Sequence, residues 1–129
     1  MGVELIDDEH REILDQLDEL VASKNSAFAA QLLLGYVSKH FADEERVMAN
    51  IGFKGLGRHK KLHDDFRVRV VEMVRRIDEP GMVDRLVKYS SDWIVAHTAN
   101  EDVLIGVAVK EFVDSVFEGI DIDPKYLGE

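Results

Sequence analysis

Four stretches of this chain repeat their apolar residues with a period close to 3.6, and no strand pattern competes with them. That periodicity confines the fold to packed helices. The first stretch runs from about Asp7 to Ser23 and carries Ile13, Leu14, Leu17, Leu20 and Val21, with Asp7 as its expected N-cap. The second runs from about Ser26 to Asn50 and carries Phe28, Leu32, Leu33, Tyr36, Val37, Phe41, Val47 and Met48. A loop punctuated by Gly52, Gly55 and Gly57 follows. The third spans about Gly57 to Asp78, turns Leu62, Phe66, Val70, Met73, Val74 and Ile77 inward, and stops at Glu79-Pro80-Gly81. The fourth starts near Met82, shows Leu86, Val87, Trp93 and Ile94, and continues with a break through Val103 to Phe117. The tail from Gly119 to Glu129 reads as irregular.

Short links between four amphipathic helices imply an all-α fold, an antiparallel up-down-up-down four-helix bundle with a C-terminal extension. The 129 residues are expected to form a single domain, 1–129, with its core at about 3–117. A chain of this length buries a core without staples. The absence of cysteine excludes disulfides, thiolate metal sites and cysteine nucleophiles. A net charge of −10 argues against nucleic acid. No apolar run has the length of a membrane span, and no signal peptide opens the chain, so a cytoplasmic location is expected. Glu9, Glu12, Asp15, Asp18 and Glu19 on the first helix, and Lys60, Lys61, Arg67, Arg69, Arg75 and Arg76 on the third, read as solvated faces.

The informative residues are polar ones on the apolar faces. His10 precedes Leu14 by four residues and Leu17 by seven. His40 follows Tyr36 by four, and Glu44 lies one turn further on the same face. His59 and His63 share a face with Phe66, Val70 and Ile77, and His97 follows Trp93 by four. A single inward histidine is ordinarily a satisfied core residue. Here all five histidines of the chain face inward. Burying that many polar groups costs several kcal/mol for each one left unpaired. A metal centre offsets the cost, because neutral imidazole is a ligand for divalent transition metals.

Five imidazoles plus carboxylates exceed a four-coordinate zinc site, and HKKLH lacks the glutamate of HExxH. The set suits two adjacent six-coordinate ions bridged by carboxylates, and thiolate-free, imidazole-rich donors suit iron. A second bridging carboxylate should come from the fourth helix, where HTANED offers Glu101 and Asp102. Asp102 falls about 140° round an ideal helix from His97, so spacing alone prefers Glu101.

These residues resemble hemerythrin and the bacterial hemerythrin-like domains. "VELIDDEH" is similar to the family's opening IDxxH, "HFADEERVM" to HFxxEExxM, "GFKGLGRHKKLHDDF" to an aromatic-x5-HxxxHxxF segment, and "DWIVAHTANED" to WLxxHIxxxD. The resemblance covers about residues 3 to 117 and uses every histidine. It implies a four-helix protein with two iron ions (Fe2+/Fe3+) joined by an oxo or hydroxo bridge. His59, His63 and His97 would hold one iron, and His10 and His40 the other. Glu44 and Asp102 would bridge them. The family therefore selects Asp102 over Glu101, and a π-bulge in the fourth helix would reconcile that choice with the spacing. O2 would bind at an open position on the two-histidine iron, in a pocket lined by Ile94 and Thr98.

Three departures from the family pattern stand out. The glutamine of its opening motif is Glu9 here, read as a surface change. Few residues precede the first helix, as in a trimmed domain or a site open at one end. Thr98 stands where the family usually has isoleucine, which puts long-lived oxygen storage in question. The expected function is reversible O2 binding for storage, delivery or sensing. The alternative is a di-iron oxidase, or an enzyme scavenging peroxide or nitric oxide at the same centre. Oxygen-activating ferritin-like sites carry paired ExxH motifs, and this chain has none. The expected partners are O2 and, in a longer parent protein, a signalling domain.

Overall fold

The computed structural model describes residues 4–118. Its helices are α1 (Glu4–Ala22), α2 (Ser26–Asn50), α3 (Leu56–Arg75) and α4 (Met82–His97). A π-helical turn (Thr98–Asp102) joins α4 to α5 (Val103–Glu118). α1 packs against α2 and α4, and α3 against α2 and α4, so the four form a closed square in chain order. The links are short, which makes neighbours antiparallel. Among the described residues no helix is long and apolar enough to cross a membrane.

The helix limits follow local chemistry. Asn25 caps α2, its side-chain oxygen accepting the Phe28 N–H at 3.1 Å. α3 stops at Arg75, three residues before the end that periodicity suggests, and Gly81 with φ +78° turns the chain into α4. Asp7 is not an N-cap: α1 begins at Glu4 and leaves Asp7 inside the helix. The expected break in the fourth helix is the π turn, beyond which α5 carries the chain on as the C-terminal helix. The irregular tail expected from Gly119 onward lies outside the described residues.

The core runs along the bundle axis and changes character from end to end. At one end Leu17 and Leu20 of α1 meet Ala29, Ala30 and Leu33 of α2, with Val74, Ile77, Met82 and Leu86 closing the layer. Ile13, Phe41, Phe66 and Ile94 fill the middle, with Trp93 packed against them. The other end is polar. Antiparallel packing brings together the start of α1, the second half of α2, the start of α3 and the end of α4. Each of those segments carries histidine.

Not every residue of the expected stripes is inside. Leu14, Val21, Phe28, Leu32 and Val103 are exposed. In α2 the buried residues are Ala29, Ala30, Leu33, Val37, His40, Phe41, Asp43, Glu44 and Met48. Apolar residues cover more than half of that helix's turn near its start, and packing selects one side of them. Leu32 and Leu33 separate the two cases. Leu33 is fully buried, whereas Leu32 is 43% exposed. Leu33→Ala is expected to destabilise the protein by about 2–5 kcal/mol. Leu32→Ala is expected to cost under about 1 kcal/mol, because it leaves no cavity. Chemical denaturation of both variants checks this, and equal costs would contradict the observed rotation of α2.

Candidate metal centre

Seven side chains converge at the polar end. His10 comes from α1, His40 and Glu44 from α2, His59 and His63 from α3, His97 from α4 and Asp102 from the end of the π turn. All seven are buried. Within α2 and α3 the placing is helical arithmetic: residues four apart stack on one face, which pairs His40 with Glu44 and His59 with His63. Aromatic neighbours fix the ring planes. Phe41 stacks on His63 at 3.9 Å and 4°. Trp93 stacks on His97 at 4.3 Å and 14°.

The ligand atoms sort into two adjacent pockets. Oε1 of Glu44 faces Nε2 of His59, His63 (3.1 Å) and His97 (3.5 Å), and its Oε2 faces Nε2 of His40 at 3.0 Å. Oδ1 of Asp102 faces His97 at 3.0 Å and His59 at 3.4 Å, and its Oδ2 faces His10 at 3.0 Å. One pocket is thus Glu44, His59, His63 and His97; the other is His10, His40, Glu44 and Asp102. Each carboxylate lends one oxygen to each side.

The π turn explains why Asp102 rather than Glu101 joins the set. An i→i+5 turn holds one residue more than an α turn, so the fifth residue after His97 comes back to its face. Glu101, which ordinary helical spacing favoured, instead points out and pairs with Arg58. Thr98 is half-buried at the head of the same turn, and Ile94 is buried in the core.

These residues fit a metal pair better than they fit one another. Glu44 Oε2 and both Asp102 oxygens are buried and accept no hydrogen bond. Yet imidazole nitrogens stand 3.0 Å from them, as expected where nitrogens and oxygens aim at shared points rather than along each other's lone pairs. The Nε2 atoms also crowd together: 3.1 Å for His10 and His40, 3.2 Å for His63 and His97, and 3.0 Å for His59 and His97. Donors about 2.1 Å from an ion lie about 3.0 Å apart at octahedral angles and about 3.4 Å apart at tetrahedral ones. Most of the close contacts match the octahedral figure.

Without metal the site is an ionic cluster. Burial opposes charge on both carboxylates. The imidazoles of His40, His59, His63 and His97 outweigh it and hold Glu44 far below the usual range. Those of His10, His59 and His97 hold Asp102 below its usual value. Burial likewise opposes charge on His59, but Asp102 and Glu44 raise it to about 9. His97 is raised against burial by the same two carboxylates.

Two outer contacts escaped sequence reasoning. Glu9 is not a surface residue; it is 3% exposed, with Oε1 3.4 Å from Nδ1 of His40. Glu45 places Oε2 2.9 Å from Nδ1 of His63. Nothing in helical spacing links Glu9 to His40 or Glu45 to His63, since each pair joins different helices.

The family model described as Hemerythrin HHE cation binding domain matches residues 1–108. The chain is 30% identical over 99 residues to a myohemerythrin of Sipunculus nudus, covering 77% of this chain and 78% of the relative. It is 30% identical over 97 residues to a myohemerythrin of Riftia pachyptila, covering 75% and 77%. With a bacteriohemerythrin of Pseudomonas aeruginosa the identity is 32% over 108 residues, covering 78% and 71%. No solved structure matches the chain.

Two outcomes follow from this geometry. Asp102→Ala is expected to lower metal affinity by more than the roughly 10–100-fold that loss of an outer partner costs. Glu101→Ala is expected to load as the parent does. Elemental analysis after dialysis distinguishes them, and the reverse ranking would mean that the π turn is absent in solution. The second outcome concerns the metal-free chain. His59 has a folded pKa above its ordinary 6.5, so its stabilisation is complete below 6.5 and is lost as pH rises through about 9. Glu44 and Asp102 are depressed below 4.5 and 3.8, so theirs is present above those values and is lost as pH falls. The denaturant midpoint of metal-free protein should therefore peak at roughly pH 5–6.5 and decline toward pH 9. A midpoint still rising between pH 7 and 9 would refute the assignment.

Proposed function

Because the chain belongs to the hemerythrin HHE cation-binding family, we propose that it is a non-haem di-iron protein that binds O2 reversibly. The observation that carries this reading is the pair of imidazole-rich pockets sharing Glu44 and straddled by Asp102. In it His59, His63 and His97 would hold one iron and His10 and His40 the other, with an oxo or hydroxo group between them. When bound, the iron pair supplies the two electrons that reversible capture of O2 requires.

The chain's own residues do the rest. The two carboxylates bring two negative charges into a buried site, which offsets the repulsion between two cations. Imidazole donors leave the centre short of the carboxylates that oxygen-activating ferritin-like sites carry. Asymmetry decides where a ligand enters. The pocket of His10 and His40 has two imidazoles against three on the other side, so its donor set leaves room for a further ligand. Ile94 and Thr98 are proposed to line that space. Ile94 offers hydrocarbon alone, which excludes water. Thr98 adds a hydroxyl that can donate or accept a hydrogen bond. A hydroxyl in that space can hold a water or donate a hydrogen bond, and either would shorten the life of an O2 complex. That suits sensing or transient delivery better than long storage.

Protein made with ample iron is expected to hold about two iron atoms per chain. Anaerobic, reduced protein should be nearly colourless, gain a visible band in air and lose it again on degassing. One zinc per chain with no iron uptake would overturn the proposal. Sustained consumption of reductant in air would instead favour a di-iron oxidase, and catalysed loss of peroxide or nitric oxide a scavenger. Thr98→Ile should prolong the oxygenated spectrum; an unchanged decay would place the hydroxyl outside the pocket.

A further inference from the structure

All five histidines present Nε2 to the centre, which leaves Nδ1 as the outer nitrogen. On two of them a carboxylate from another helix meets that outer nitrogen. Glu9 Oε1 stands 3.4 Å from Nδ1 of His40, and Glu45 Oε2 stands 2.9 Å from Nδ1 of His63. The two histidines belong to different pockets, so each pocket has one imidazole gripped from behind. Each carboxylate is tied to a lysine in turn. Lys39 Nζ donates to Glu9 Oε2 at 2.7 Å, and Lys60 Nζ stands 3.9 Å from Glu45 Oε1. Lys39 also donates to Asp43 at 3.3 Å, and Arg46 donates to Asp43 at 2.6 Å, which anchors the Glu9 side from both directions.

An imidazole can bind a metal through Nε2 only if that nitrogen is free of its proton, and the acceptor on the other nitrogen decides whether it is. Glu9 and Glu45 accept and carry no N–H, so each fixes the Nδ1–H tautomer of its partner. Each also turns the ring so that Nε2 looks inward. A carboxylate behind the ring makes Nε2 a stronger donor and favours the more highly charged state of a bound metal.

We propose that Glu9 and Glu45 are positioning residues, one for each pocket, that set the tautomer and aim of His40 and His63 and lower the reduction potential of the pair. The part concerning potential rests on the di-iron reading; the part concerning tautomers does not. Glu9 reaches across from α1 to α2 and Glu45 from α2 to α3, so the two residues lock adjacent helices as well as rings.

The experiment compares Glu9→Ala, Glu9→Gln, Glu45→Ala and Glu45→Gln in the full chain. Each alanine variant should lose iron to a chelator about 10–100-fold faster than the parent. Each glutamine variant keeps a carbonyl acceptor, so its release should stay within about threefold, while its potential rises because the charge is gone. A merely structural role would slow or speed release without separating glutamine from alanine in this way. In metal-free protein, long-range nitrogen–proton spectra should show the Nδ1–H form of His40 and His63, lost at His40 in Glu9→Ala and at His63 in Glu45→Ala. Parent-like release and potential in all four variants, or unaltered tautomers in the alanine variants, would overturn the proposal. If the parent takes up no iron at all, the di-iron reading fails, and the tautomer spectra still decide the roles of Glu9 and Glu45.

Discussion

Two carboxylates, Glu44 and Asp102, sit at zero exposure between four helices, and the polar end of the bundle is organised around them. Glu44 and Asp102 could not be buried alone, since an unpaired charge in a protein interior costs several kcal/mol even after relaxation. Five imidazoles surround them, and each carboxylate turns one oxygen to each pocket. In the metal-free chain this is an ion cluster; two cations would offset both carboxylate charges and give the orphaned oxygens partners. The strong acid-side depression of both carboxylates and the raised His59 are the same fact seen through protons.

The apolar half of the bundle makes that arrangement tolerable. Leu17, Leu20, Leu33, Ile77, Met82 and Leu86 supply packing at the far end. Phe41, Phe66 and Trp93 then form a transition layer. Phe66 stacks on Trp93 at 4.1 Å, and Trp93 in turn stacks on His97. Ring planes at the site are thereby set by the same side chains that complete the core. Stability from one end holds geometry at the other, as a preorganised centre requires.

The π turn is the local cost of this design. A helix of uniform pitch would aim Glu101 inward and Asp102 well to the side. Widening one turn changes which of two adjacent acids faces the histidine cluster, and it frees Glu101 to pair with Arg58 at the surface. π turns are uncommon and concentrate at functional sites, because the geometry they give up in the backbone is recovered by what the side chains then do.

The fold class and the inward histidines were legible in the sequence, because the 3.6 period is a property of the backbone and is written directly into residue spacing. His40 with Glu44 and His59 with His63 follow from it, each pair lying one helical turn apart. The family motifs supplied Asp102, which spacing alone would have refused. Other features were not written there. Leu32 and Leu33 are equally apolar, and only the rotation of α2 against its neighbours put one outside and the other in the core. Glu9 read as one more acid on an acidic helix, yet the approach of α2 buried it against His40. Glu45 found His63 across the α2–α3 contact in the same way. Sequence periodicity reports which face of a helix is apolar; which residues of different helices meet depends on rotation and offset between helices, and those are settled only when all four pack at once.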